Sequence, residues 1–318
     1  MRDIEYKKIL VLGGTGFIGR HLISRLIDKN EVISVSLNQK SKQYHKNLRQ
    51  VTLDITNKAS VVKFLRKNTF NYVFNLGGYV DHCALGDGGQ EVINQHFTSI
   101  VNIVDNLNRD ELLGFVQIGS SDEYGDNKSP LSELSCERPI SCYSLAKVAT
   151  SKFIQMISQT EKFPGVVLRF FLVYGPGQHE NRLISRLVNG FLRNEKVAVS
   201  EGEQVRDFLY VEDAVDAMIK AAIFKHSKSN IYNIASGNPI KIKKVIRLIH
   251  SIIGSGVPNY GAIACRKLEN MVLYADISSA ERDFGWKPNT SLKSGLLNTV
   301  EYCKKIMEKE SVDSSNLL

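Results

Sequence analysis

The run "KILVL" at residues 8–12 stops abruptly at "GGTGFIG", and a helical pattern begins at once. An apolar, β-branched run of this length, bounded by glycines, reads as a buried strand. In "FIGRHLISRLIDKN" the residues Phe17, Ile18, Leu22, Ile23, Leu26 and Ile27 fall on one stripe of a helix. "EVISVSL" then supplies a second strand. Strand, glycine turn, helix and strand in this order form the opening unit of a doubly wound parallel α/β sheet. Gly13, Gly16 and Gly19 stand where such a unit meets a pyrophosphate. Gly13 permits the tight turn, Gly16 the close approach of backbone to anion, and Gly19 the packing of helix on strand. A dinucleotide is expected over Gly13–Gly19.

The alternation continues along the chain. "RQVTLDI", "YVFNLGG", "GFVQIGSS" and "PGVVLRFFLVYG" read as strands. "NKASVVKFLRKN", "EVINQHFTSIVNIVDNLNR" and "SLAKVATSKFIQMISQTEK" read as the helices between them. The central strands are apolar without alternation, as expected when helices cover both faces. After "YGPG" the pattern loosens into amphipathic helices and short strands. A dinucleotide-binding domain is expected over 1–174, with part of 205–240 returning to it. A smaller substrate-binding lobe is expected mostly over 175–305, with a flexible tail at 306–318.

Composition narrows the functional class. The 318 residues are 43% hydrophobic, enough for a large core, and no apolar run reaches bilayer length. No signal-peptide pattern precedes "KILVL", so a cytoplasmic location is expected. The net charge of +8 is spread along the chain without a dense basic block. Nucleic acid and membrane are therefore not expected as partners, whereas an anionic small molecule suits this balance. The five cysteines, at 83, 136, 142, 265 and 303, form no CxxC pair. They are expected as reduced thiols, with Cys142 a neutral space-filler and no metal site.

Tyr143 and Lys147 stand four apart in "YSLAK", and on a helix they share a face. A tyrosine is a weak acid at neutral pH, and a neighbouring cation is expected to lower its pKa. The pair could then shuttle a proton.

The glycine motif, Asp54 after the third strand, the serine strand before "EYG" and "YSLAK" occur in the order that resembles the short-chain dehydrogenase/reductases. The extended, nucleotide-sugar branch is the most similar, since "RFFLVYGPGQ", "RDFLYVEDAVDA", "YNIASG" and "ERDFGWKP" follow. The resemblance covers about residues 7–300. It implies that Ser120, Tyr143 and Lys147 are catalytic. It implies cofactor contacts from Gly13, Thr15, Gly16, Phe17, Ile18, Gly19, Asn38, Lys40, Asp54, Ile55, Leu76, Gly77 and Gly78, and from Tyr143 and Lys147 as well. It implies that Ser121, Asp122, Arg182, Arg206 and Asn233 meet a nucleotide-diphosphate sugar. It also implies a homodimer through helices at about 91–108 and 145–160. Leu172 and His96 depart from the family, which commonly has asparagine at both positions. "YVDHC" at 79–83 is also unusual and is expected to face the substrate.

Two features bear on the reaction. The segment "SVSLNQKSKQ" after the second strand lacks the carboxylate that bonds a ribose 2′-OH and offers Asn38, Lys40 and Lys42. NADP is therefore expected ahead of NAD. The stretch "GSSDEYGD" at 119–126 places Ser120 four residues before Tyr124, but in that register only Asp122 supplies an acid where a 4,6-dehydratase has two. Reduction of a nucleotide-linked 4-keto-6-deoxyhexose, for deoxysugar and surface polysaccharide synthesis, is the leading expectation. A 4-epimerase, a 4,6-dehydratase and a non-catalytic NADP-sensing protein are the alternatives.

Overall fold

The computed structural model describes residues 3–38, 45–224, 230–264 and 270–315. The first half alternates as expected: β1 (Lys8–Leu12), α1 (Phe17–Leu26), β2 (Glu31–Ser36), β3 (Leu48–Thr52), α2 (Lys58–Leu65) and β4 (Tyr72–Asn75). α3 (Gly89–Ile93), α4 (Ser99–Asn106), β5 (Gly114–Ser120), α5 (Cys142–Thr160) and β6 (Gly165–Phe170) follow. With the strand Ile231–Ile234 they make a seven-stranded parallel sheet. From one edge to the other the order is Ile231–Ile234, β6, β5, β4, β1, β2, β3. Strand order therefore reverses at β1, where Leu12 pairs with Val35 on one side and Asn75 on the other. A crevice opens at the carboxyl ends of strands at such a point.

Both faces are covered. Val11, Val116 and Leu168 pack with Leu22 of α1 and with the helix Val211–Ile223. Leu10, Ile33 and Phe115 pack with Val61, Ile103 and Ile154 of α2, α4 and α5. Full burial of such side chains contributes about 1.5–3 kcal/mol each. A second cluster joins Leu187 and Phe191, Val245 and Ile249, and Leu296 and Val300, from three later helices. These helices span Leu183–Leu192, Ile242–Ile253 and Leu292–Ser315. Among the described residues no helix is long and apolar enough to cross a membrane.

Three expectations change. "PGVVLRFFLVYG" is two strands, because Phe171 turns into a separate apolar cluster with Tyr124 and Leu131. The second piece, Leu172–Tyr174, pairs instead with Phe208–Tyr210. The last helix continues through Ser315, past the expected start of the tail at 306. The long helix expected around 91–108 contains a π-turn at Asn94–Thr98, between α3 and α4.

Candidate active site

At the switch point a cleft of about 490 Å³ opens beside the glycine turn. Gly13 has φ +78°, and a Cβ there would stand 2.7 Å from the Leu76 carbonyl oxygen. A Cβ on Gly19 would stand 2.4 Å from the Gly13 carbonyl oxygen. Gly16 caps α1 without any side-chain hydrogen bond, which leaves backbone N–H groups facing the cleft mouth. This cradle fits a pyrophosphate and would not tolerate side chains at these positions.

The cleft wall contains Gly13, Thr15, Gly16 and Phe17 from the turn and Asn38 from the end of β2. Ile55, Leu76, Gly77 and Gly78 complete the expected lining. Ile18 and Gly19 lie behind it, packing α1 onto the body. Asp54 lies between two wall residues and closes a turn. Its Oδ1 accepts from the Thr56 N–H at 2.9 Å and the Thr56 hydroxyl at 2.7 Å, and Leu53 and Ile55 line the wall. Lys40 and Lys42 lie outside the described residues.

Ser120, Tyr143 and Lys147 come together at the end of β5. Ser141 caps α5 in a reciprocal box with Ser144, which starts the helix at Cys142 and sets Tyr143 in its first turn. Lys147 follows one turn later, buried, its Nζ donating to the Ile118 carbonyl at 2.8 Å and lying 5.8 Å from the Tyr143 ring centre. Burial lowers the Lys147 pKa to about 8, against the pull of Glu123 and Asp122. The Tyr143 pKa is raised, not lowered as expected: burial outweighs the opposing influence of the nearby Ser120 side chain, and the ring is only 6% exposed.

"GSSDEYGD" divides into two kinds of residue. Ser120 Oγ accepts the Asp122 N–H at 3.2 Å, and the Ser120 N–H donates to Glu123 at 2.9 Å. Glu123 is fully buried and accepts from Arg169 at 2.7 Å and Ser151 at 2.8 Å. Tyr124 is equally buried, donating to Asn233 Oδ1 at 2.7 Å, with the Arg169 guanidinium 4.7 Å from its ring centre. Glu123 and Tyr124 therefore hold the turn and the core. Ser121 is buried in the same turn. Asp122 points the other way, 3.5 Å from His82 Nε2.

The remaining expected contacts differ among themselves. Arg182 is exposed at the start of the helix Leu183–Leu192 and acts electrostatically on Tyr143. Arg206 is buried on the short strand Val205–Arg206, next to the buried Asp207. That carboxylate accepts the N–H groups of Ser236 at 2.6 Å and Gly237 at 3.0 Å. Asn233 is fully buried, and its amide bonds Tyr124 and the Leu131 carbonyl, so it is a core residue rather than a substrate contact.

Two residues of the site carried only a weak signal. His96 lies in the π-turn, its Nε2 2.8 Å from the Tyr79 carbonyl and its ring edge-on to Tyr143 at 5.0 Å. Burial and the charge of Lys147 push its pKa down to about 3, so it is a neutral wall for the tyrosine. His82 meets Tyr143 edge-on from another side, at 5.6 Å. The departures from the family pattern at His96 and at "YVDHC" are the signals that point to them.

Known proteins share this architecture. The family model described as "NAD dependent epimerase/dehydratase family" matches residues 9–235. A Bacillus subtilis protein named "Uncharacterized UDP-glucose epimerase YtcB" is 27% identical over 95% of this chain and 100% of its own. The UDP-N-acetylglucosamine 4-epimerase of Methanobrevibacter ruminantium, solved with UDP-N-acetylmuramic acid, superposes with a TM-score of 0.86 at 25% identity, covering 96% of this chain and 100% of its own. MoeE5, solved with UDP-glucuronic acid and NAD, gives 0.83 at 27% identity over 94% and 99%. With the glycine cradle at the end of β1 and the tyrosine–lysine helix beside the end of β5, the chain belongs to the NAD-dependent epimerase/dehydratase family, enzymes of the extended short-chain dehydrogenase/reductase type that act on nucleotide sugars.

Proposed function

We propose that this enzyme transfers a hydride and a proton at C4 of a nucleotide-linked hexose, and that its net reaction is reduction of a 4-keto-6-deoxy sugar. The observation that carries this reading is the division within "GSSDEYGD". Ser120 and Tyr143 are neighbours beside the end of β5, while Glu123 is sealed under Arg169. Loss of water across C5 and C6 needs an acid and a base beyond the tyrosine. With Glu123 held by Arg169 and Ser151, Asp122 is the carboxylate of this turn left to serve as an acid.

Gly13, Gly16, Leu76, Gly77 and Lys147 would hold the dinucleotide, which when bound supplies the hydride. Ser120 polarises the sugar oxygen at C4 and Tyr143 gives it a proton. Lys147 orients the tyrosine, and Arg182 and Arg206 offer charge to the diphosphate. Epimerisation at C4 is the second reading, favoured by the structural resemblance to a UDP-N-acetylglucosamine 4-epimerase and to a UDP-sugar protein carrying NAD. Incubation with 4-keto-6-deoxy derivatives of UDP-, dTDP-, GDP- and CDP-hexoses and reduced cofactor tests the reading. Stoichiometric loss of absorbance at 340 nm with a C4 alcohol in the product NMR supports reduction. Interconversion of intact UDP-hexoses without added cofactor would replace it with epimerisation.

The cofactor form and the assembly belong to the same reading. No carboxylate follows β2 in the sequence, so NADPH is expected to bind more tightly than NADH. Fluorescence titration of Lys40→Ala and Lys42→Ala should shift the Kd ratio by roughly tenfold, equivalent to about 1.4 kcal/mol. An unchanged ratio in both variants would remove the NADP assignment. A homodimer through 91–108 and 145–160 is supported by Leu145 and Met156, both about half exposed on α5. Light scattering is expected to give twice the chain mass of 35.6 kDa, and a monomer at micromolar concentration would contradict it.

A further inference from the structure

Net reduction has a consequence for Tyr143 that epimerisation lacks. An epimerase returns the proton it takes, so its tyrosine ends each cycle as it began. A reductase leaves its proton on the product and must be reloaded from water at every turnover. Tyr143 is nearly sealed, with neutral His96 against one edge and buried Lys147 one turn along the helix. Lys147 donates to the Ile118 carbonyl, deep at the end of β5.

His82 and Asp122 stand on the open side. The His82 ring lies edge-on to Tyr143 at 5.6 Å. Its Nδ1 is 3.3 Å from Ser141 Oγ and its Nε2 is 3.5 Å from Asp122 Oδ2. Both side chains are partly exposed, 43% for His82 and 34% for Asp122. An imidazole backed by a carboxylate, half in water and touching a sealed phenol, has the parts of a proton conduit. We propose that the His82–Asp122 pair relays protons from solvent to Tyr143. The proposal rests on the reductive reading above.

The step balances. Reduction by the dinucleotide adds hydride to C4 and a proton to O4; the Tyr143 O–H bond breaks and a phenolate remains. An N–H bond of the His82 imidazolium then breaks as the phenol O–H reforms, the proton passing through a water, since Nδ1 faces Ser141 and Nε2 faces Asp122. Water then returns the proton to the imidazole, which Asp122 holds through Nε2. His82 and Asp122 act through Tyr143, so they are positioning residues and not catalytic ones.

Two measurements test the relay. The first needs neither substrate nor cofactor. In full-length protein labelled at tyrosine Cζ with ¹³C, exchange of each hydroxyl between H₂O and D₂O is read from the isotope shift, and Tyr143→Phe identifies the resonance. His82→Gln should slow exchange at Tyr143 by roughly 10²-fold, the lower end for a positioned proton-transfer group. His82→Ala should slow it likewise, with imidazole in the buffer restoring much of the loss. Unchanged exchange in both variants overturns the relay, whatever the reaction proves to be. The second is stopped-flow reduction of whichever ketone of the nucleotide panel the wild type consumes. His82→Gln should complete a first turnover at the wild-type rate and then slow, giving a burst of one equivalent per site. Equal slowing of first and later turnovers would make His82 a structural residue and sink the relay. A wild type that reduces none of the ketones overturns the reductive reading, and the relay's role in turnover falls with it. The exchange measurement still stands apart from that failure.

Discussion

Tyr143→Phe is expected to lower turnover of the true substrate by roughly 10²–10⁴-fold, the usual contribution of a positioned general acid. The ring keeps its place between His82 and His96, so dinucleotide affinity should stay close to wild type. First and later turnovers should slow together, because the group that touches O4 is gone. Asp122→Asn separates the candidate reactions. In a reductase it removes only the partner of His82 and should cost much less than the tyrosine. In a dehydratase it would remove an acid needed at C6 and cost about as much. Steady-state rates for both variants, with the products identified by NMR, decide between them. Equal large losses with a 4-keto product would reject reduction and make "SSDEYG" a compressed dehydratase motif.

The parts of this site that were legible in the sequence are local. The glycine turn lies between one strand and the next helix, and Tyr143 and Lys147 lie one helical turn apart, so periodicity alone brings their parts together. What was not legible is contact across long separations. Asp122 and Glu123 are adjacent carboxylates and read alike. They separate only because Ser151 and Arg169, 28 and 46 residues from Glu123, close over it. Asn233 read as a substrate contact because its partner, Tyr124, is 109 residues away. Tyr143 illustrates a different failure. A cation one turn away predicts a lowered pKa, but the depth of burial that reverses the sign comes from the packing of three elements. The break at Phe171 has the same origin: an unbroken apolar run gives no sign of where the chain leaves one sheet for another.

The largest expected effect on stability lies under the active turn. Arg169 and Glu123 are both fully buried, with Nε 2.7 Å from the carboxylate. The guanidinium also reaches Glu137 at 2.8 Å, and Lys152 meets Glu137 at 2.6 Å. Arg169→Leu would leave Glu123 charged or forced to protonate in an apolar pocket, with only Ser151 and the Ser120 N–H as donors. Breaking a buried pair from one side costs about 3–5 kcal/mol, whereas replacing both partners by apolar groups is often close to neutral. Urea unfolding of Arg169→Leu, Glu123→Leu and the double variant should therefore be strongly non-additive, with the double variant more stable than the sum of the singles predicts. The consequence reaches the chemistry through Ser120, whose N–H is held by Glu123 and whose hydroxyl meets Tyr143. Each folded single variant should lose activity as the turn loosens, while its affinity for dinucleotide, held chiefly by the glycine cradle, changes less. A cost below about 1 kcal/mol for Arg169→Leu, or simple additivity in the cycle, would show that the pair does not hold the turn.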